Sequence, residues 1–120
     1  MPIDATLPYD ESNIFARILR GKIPAKRVYE DEFALAFHDI APQAPTHILV
    51  IPKEHVASLD EATDPTLVGR LSLAAAEIAR SEGVTDGYRT VVNTGAGAGQ
   101  TIFHLHLHLL GGRKLTWPPG

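Results

Sequence analysis

Polar and apolar positions alternate most cleanly at one place in this 120-residue chain, the run Phe103-His104-Leu105-His106-Leu107-His108-Leu109-Leu110. A period of two is that of a β-strand, so the histidines share one face and the leucines the other. On a helix the same residues scatter at steps of about 200°. Arg27 to Glu30 and Phe33 to His38 read as a hairpin turning at Asp31-Glu32. His47 to Pro52 is rich in β-branched residues and reads as a buried strand that Pro52 stops. Tyr88 to Asn93 is a further strand. A helical period takes over at Leu67, Val68, Leu71, Ala74, Ala75 and Ile78. It predicts a helix that opens at the N-cap and first-turn proline Asp64-Pro65, runs to Ser81 or Glu82 and stops at Gly83. A shorter helix is expected from Asn13 to Arg20, capped by Ser12, closed by Gly21, with Ile14, Phe15, Ile18 and Leu19 on one stripe. Between these elements, Pro42 and Pro45 make residues 39–45 a stiff loop. Lys53 to Leu59 is expected to hold a helical turn, with His55 facing solvent or capping. The whole reads as one α+β domain, a five-stranded antiparallel sheet with one long and one short helix.

Composition narrows the class more than the fold. The chain has no cysteine, which excludes disulfides and thiolate metal sites. A net charge of −3 argues against a general nucleic-acid-binding surface, leaving room for a local phosphate pocket. No apolar run is long enough to span a membrane. Residues 1–12 are acidic and proline-bearing, without the basic and apolar regions of a leader, and read as a flexible tail before a single domain at residues 13–120. A cytoplasmic protein is expected.

The histidine face carries the chemistry. Three imidazoles in register are costly to order by accident. Alternate strand positions can aim them at one metal ion, since neutral imidazole is a preferred ligand of zinc, copper and nickel. They can equally serve a nucleophilic histidine whose neighbours orient it and manage protons. Spacing alone does not separate these two. His47 opens a strand where a loop meets solvent, a position suited to a site residue. Glycines 95, 97 and 99 lead into another strand rather than a helix, so they are no dinucleotide fingerprint. Their backbone N–H groups are nevertheless free to approach an anion. Trp117, ahead of two prolines, hints at packing on a partner or on the site.

The run His104 to Leu110 resembles the His-x-His-x-His-x-x signature of the histidine triad superfamily of nucleotide hydrolases and transferases. Further stretches resemble its Hint branch, the purine nucleoside phosphoramidases: Ile23-Pro24-Ala25-Lys26, Ala36-Phe37-His38-Asp39-Ile40, Pro42 to His47, Val50-Ile51-Pro52-Lys53, and Gly111-Gly112-Arg113 with Trp117-Pro118-Pro119-Gly120. The resemblance implies the HIT-like fold, with two protomers joining their sheets into a ten-stranded one. It also implies catalysis without metal or other cofactor. Residue by residue, His106 matches the nucleophile, His104 the residue whose carbonyl holds its tautomer, His108 a contact to phosphate or leaving group, and His47 a fourth site histidine. Asp39 matches the carboxylate that receives the ribose hydroxyls, while Phe15, Ile18, Phe37 and Ile40 match the purine slot. Asn93 matches a residue near sugar and phosphate. The backbone of Gly99, Gln100 and Thr101 matches donors for the nonbridging oxygens. Trp117 matches a residue reaching the partner protomer's site. Thr101 departs from the pattern, standing where serine is usual. The implied activity is hydrolysis of adenosine or guanosine 5'-phosphoramidates through a nucleotidyl-histidine intermediate. Its alternatives are dinucleoside polyphosphate hydrolysis and a protein that mainly binds nucleotides or scaffolds partners.

Overall fold

A computed structural model describes residues 9–120. The chain folds as α1 (Ile14–Leu19), β1 (Arg27–Glu30), β2 (Ala34–His38), β3 (Thr46–Pro52), α2 (Pro65–Ser81), β4 (Tyr88–Val91) and β5 (Leu107–Gly111), with single 3-10 turns at Leu59–Glu61 and Ala96–Ala98. The strands form one five-stranded antiparallel sheet in the order β1-β2-β3-β5-β4, the α+β arrangement expected.

Alternation along β2, β3 and β5 divides the interior into two clusters. Ala34, Ala36, Ile48, Val50, Leu107 and Leu109 point to one face, where α2 covers them with Leu71, Ala74, Ala75 and Ile78. Leu35, Phe37, Leu49 and Ile51 point to the other, where α1 supplies Phe15 and Ile18. Fully buried side chains such as Ile48 and Leu109 each contribute about 1.5–3 kcal/mol of transfer free energy. The thick α2 layer thus anchors one face, and the thin α1 layer leaves the other partly open. The site lies on the open face.

Several boundaries differ from expectation, each for a local reason. The cap of α1 is Asn13, whose side chain accepts from the Ala16 amide, whereas Ser12 turns its hydroxyl to Asp10. Asp31 alone closes the β1–β2 turn by accepting from the Phe33 and Ala34 amides at 2.7 and 2.8 Å. The helical turn expected at Lys53 to Leu59 forms at Leu59–Glu61. β4 ends at Val91, short of Asn93. The histidine strand is the largest correction. Only Leu107 onward pairs with neighbours, and His104 and His106 sit in irregular chain before it, although Leu105, Leu107 and Leu109 keep to the α2 side. Of the tail expected over residues 1–12, the first eight lie outside the described residues. Among the described residues no helix is long and apolar enough to cross a membrane.

Candidate active site

Between α1, the β1 approach and the ends of β2, β3 and β5 lies a cleft of about 810 Å³. His47, His106, His108, Asp39 and Thr101 line its chemical end, and Phe15, Ile18, Phe37 and Ile40 its apolar end. Phe15 meets Phe37 edge-on at 5.5 Å and His106 at 5.0 Å between ring centroids. An apolar slot therefore abuts the central histidine directly. Ile40 stands fully exposed at the rim of this slot.

The hydrogen bonds fix the tautomers, because backbone carbonyls only accept and backbone amides only donate. His106 Nδ1 lies 2.8 Å from the carbonyl of His104, so Nδ1 carries the proton and Nε2, across the ring, keeps a lone pair. His104 Nε2 lies 2.8 Å from the Pro52 carbonyl and is likewise the protonated nitrogen. The Gln43 amide donates to His47 Nδ1 at 3.0 Å, leaving His47 Nε2–H to face His108 Nδ1 at 2.9 Å. His108 then carries its proton on Nε2. The same His47 Nε2 lies 3.4 Å from Asp39 Oδ2. The other carboxylate oxygen of Asp39 accepts from the Ala41 amide at 2.8 Å, which fixes the side chain at the end of β2.

Burial keeps these rings neutral, since removing water penalises the charged form. His104 and His108 are pushed down to about 4, His108 further disfavoured by its neighbours His106 and His47. His106 and His47 are also lowered by burial, with Asp39 opposing the shift at His47 and the His104 carbonyl and Asp39 opposing it at His106. A buried neutral imidazole with one protonated and one bare nitrogen is a competent nucleophile at neutral pH.

Asp39, His47 and His108 also hold one donor atom each within 4.8 Å of one another, a spacing compatible with one metal ion. In the arrangement observed, His47 Nε2–H is spent on His108, so a cation there must displace that proton's bond.

Other expected site residues fall elsewhere. His104 is completely buried behind His106 and acts on the cleft only through its carbonyl. Gln100 is buried too, its side chain accepting from Gly95 and donating to the carbonyls of Ala57 and Ile102 while its backbone N–H donates to the Gly95 carbonyl at 3.1 Å, so the donor role expected of it is taken up inside the loop. Gly99 and the half-buried Asn93 sit beyond the lining, and Trp117 is 80% exposed. The cleft adds Ile23, Lys26, His38 and Leu49, to which the sequence reading assigned no role. The first three of these lie in stretches that resemble the family.

A further unassigned residue, outside the cleft lining, is Tyr9. Its hydroxyl lies 2.6 Å from His104 Nδ1, and its ring stacks on His55 at 4.7 Å. Nothing in the periodicity of a charged, proline-bearing segment marks it.

The HIT domain family matches residues 20–115. A HIT-like protein of Synechococcus elongatus is 60% identical over 112 residues, covering 92% of this chain and 98% of the relative. Among solved structures, a HIT family hydrolase from Legionella pneumophila superimposes with a TM-score of 0.88 at 48% identity, covering 91% of this chain and all of that one. A histidine triad protein from Clostridium difficile gives 0.85 at 41% identity, covering 89% and 96%.

Proposed function

The chain belongs to the HIT family, and from that premise we propose that it is a Hint-type hydrolase of purine nucleoside 5'-phosphoramidates. The observation that carries the reading is the His106 tautomer. The His104 carbonyl holds the proton on Nδ1, and the bare Nε2 belongs to a ring that lines a cleft with an apolar slot and a carboxylate. In this reading the purine enters between Phe15, Ile18, Phe37 and Ile40. Asp39 receives the two ribose hydroxyls, one carboxylate accepting both.

The α-phosphorus then meets His106 Nε2. With the bridging nitrogen protonated, the new N–P bond forms as the P–N bond breaks, and the amine leaves neutral with its electron pair. His108 Nε2–H and the backbone N–H of Thr101, which lines the cleft, stabilise the nonbridging oxygens, the N–H groups of Gly99 and Gln100 being spent on the Ala96 and Gly95 carbonyls. Water next attacks phosphorus, the His106 N–P bond breaks, the electron pair returns to Nε2, and the water's proton passes to solvent. The nucleoside monophosphate is released. None of these steps calls on a metal or other cofactor.

A homodimer belongs to the same reading. β4 is an edge strand, and Tyr88 on it, Leu73 on α2 and Trp117 in the tail are 43%, 73% and 80% exposed. Pairing two such edges joins two five-stranded sheets into one of ten and sets Trp117 toward the partner's leaving-group end.

The test is release of AMP from adenosine 5'-phosphoramidate by wild-type and His106→Ala protein, with denatured-protein mass spectrometry on quenched samples. Turnover lost in the variant and a transient nucleotidyl adduct on the wild type are expected. Equal turnover by the two proteins overturns the reading. Faster cleavage of diadenosine triphosphate than of the phosphoramidate favours the dinucleoside polyphosphate alternative.

A further inference from the structure

We propose that Tyr9 is a positioning residue for the His106 nucleophile, acting through His104 by donating its hydroxyl proton to His104 Nδ1. The inference rests on His106 being the nucleophile. His104 is wholly buried and has to satisfy both ring nitrogens and its carbonyl at once. Nε2–H goes to the Pro52 carbonyl at 2.8 Å, and the carbonyl receives His106 Nδ1–H at 2.8 Å. That leaves Nδ1 as a bare acceptor in the interior, where an unmet acceptor is costly. Tyr9 Oη, 2.6 Å away, fills it. Since the Pro52 carbonyl has already placed the imidazole proton on Nε2, the tyrosine is the donor.

The remaining contacts make this more than a chance approach. The Tyr9 ring stacks on His55 with an interplanar angle of 17° and meets the His104 ring edge-on at 5.7 Å, so its position is defined by two rings. Its segment is tied to α1, for the Asp10 carbonyl accepts from both the backbone and the side-chain amide of the cap residue Asn13. Two residues after that cap, Phe15 packs against the His106 ring. The segment before α1 and α1 itself therefore hold the nucleophile from two sides, the one through the His104 carbonyl and the other through Phe15. Tyr9 lies outside the span matched by the family and outside the lining of the cleft, so its contribution is invisible to a motif search.

The test compares wild type with Tyr9→Phe, which keeps the stacked ring, and Tyr9→Leu, which does not. Imidazole ¹⁵N shifts on ligand-free protein report the tautomers, and steady-state kinetics with adenosine 5'-phosphoramidate separate kcat from KM. For Tyr9→Phe we expect His106 to lose its pure Nδ1–H tautomer, kcat to fall about tenfold and KM to stay within about twofold. Wild-type tautomers and kcat in Tyr9→Phe, with only Tyr9→Leu impaired, overturn the proposal and leave a packing role. A wild-type protein inert toward phosphoramidates overturns the functional reading instead, and the ¹⁵N comparison still decides whether Tyr9 sets the His106 tautomer.

Discussion

The four site histidines share one property that has two measurable consequences. Each is less basic in the folded protein than in solution, because burial opposes its charge. In the unfolded chain they protonate near pH 6.5. Below that value the unfolded state binds protons that the native state refuses, so stability is complete above pH 6.5 and is lost as pH falls toward about 4, where His104 and His108 also protonate. His104 alone accounts for about 3 kcal/mol across that window. Chemical denaturation between pH 7.5 and 4.5 should show a falling free energy of unfolding, and a flat curve would contradict the buried neutral rings. Activity follows the same sign. The acid limb of kcat/KM should lie below pH 6.5, because His106 keeps its lone pair where an exposed imidazole has lost half of it. A limb at or above 6.5 would place the nucleophile in water. At this scale the sequence was informative about identity and only partly about state. The spacing of His104, His106 and His108 marks a face and the resemblance supplies the carbonyl that holds the His106 tautomer, whereas the tautomer of His104 comes from Pro52, a residue distant in sequence whose partnership no local pattern encodes.

Elements were legible where one periodicity governs many residues. Asp64-Pro65 and the apolar stripe that follows define α2 to its ends, and β1 carries the bounds its turn residues suggest. Legibility failed where tertiary hydrogen bonds outweigh alternation. His104 and His106 continue the two-residue pattern yet make no strand, since their polar groups are committed to Pro52, Tyr9 and each other. β5 starts only where pairing with β3 and β4 resumes, at Leu107 and His108. Its other end explains a residue that the motif alone leaves unexplained. A Cβ on Gly111 would stand 2.5 Å from Val84 Cγ1, a stiff β-branched side chain buried in the α2 core. Gly111→Ala should therefore cost about 1–3 kcal/mol of stability through overpacking, visible as a lower Tm with an unchanged denaturant m-value. An unshifted Tm would mean that the turn after α2 moves aside freely.

On the scale of the molecule, the sheet has one finished face and one working face. α2 seals the first, while α1, only six residues long, covers the second incompletely and leaves the cleft. The lateral edge at β4 is likewise unfinished in a single chain. Sedimentation equilibrium should give a mass of about 26 kDa, twice the 13.0 kDa of one chain, and Leu73→Asp with Tyr88→Asp should move it toward the single-chain value. A wild-type mass of one chain would remove the ten-stranded sheet and the partner role of Trp117. That interface was expected from resemblance alone, because an edge strand cannot be told from an inner one by alternation.

The cleft's charge inventory sets how it holds on to what it binds. Among the described residues Lys26 is its one lysine or arginine and Asp39 its one carboxylate, and burial keeps His47, His106 and His108 neutral. Grip on a nucleotide must then come from ring contact and short hydrogen bonds, which dissolved ions barely weaken, rather than from a field that screening erases beyond about 10 Å at 0.1 M salt. Such a pocket is salt-tolerant, and it offers a freshly made phosphate dianion little reason to stay.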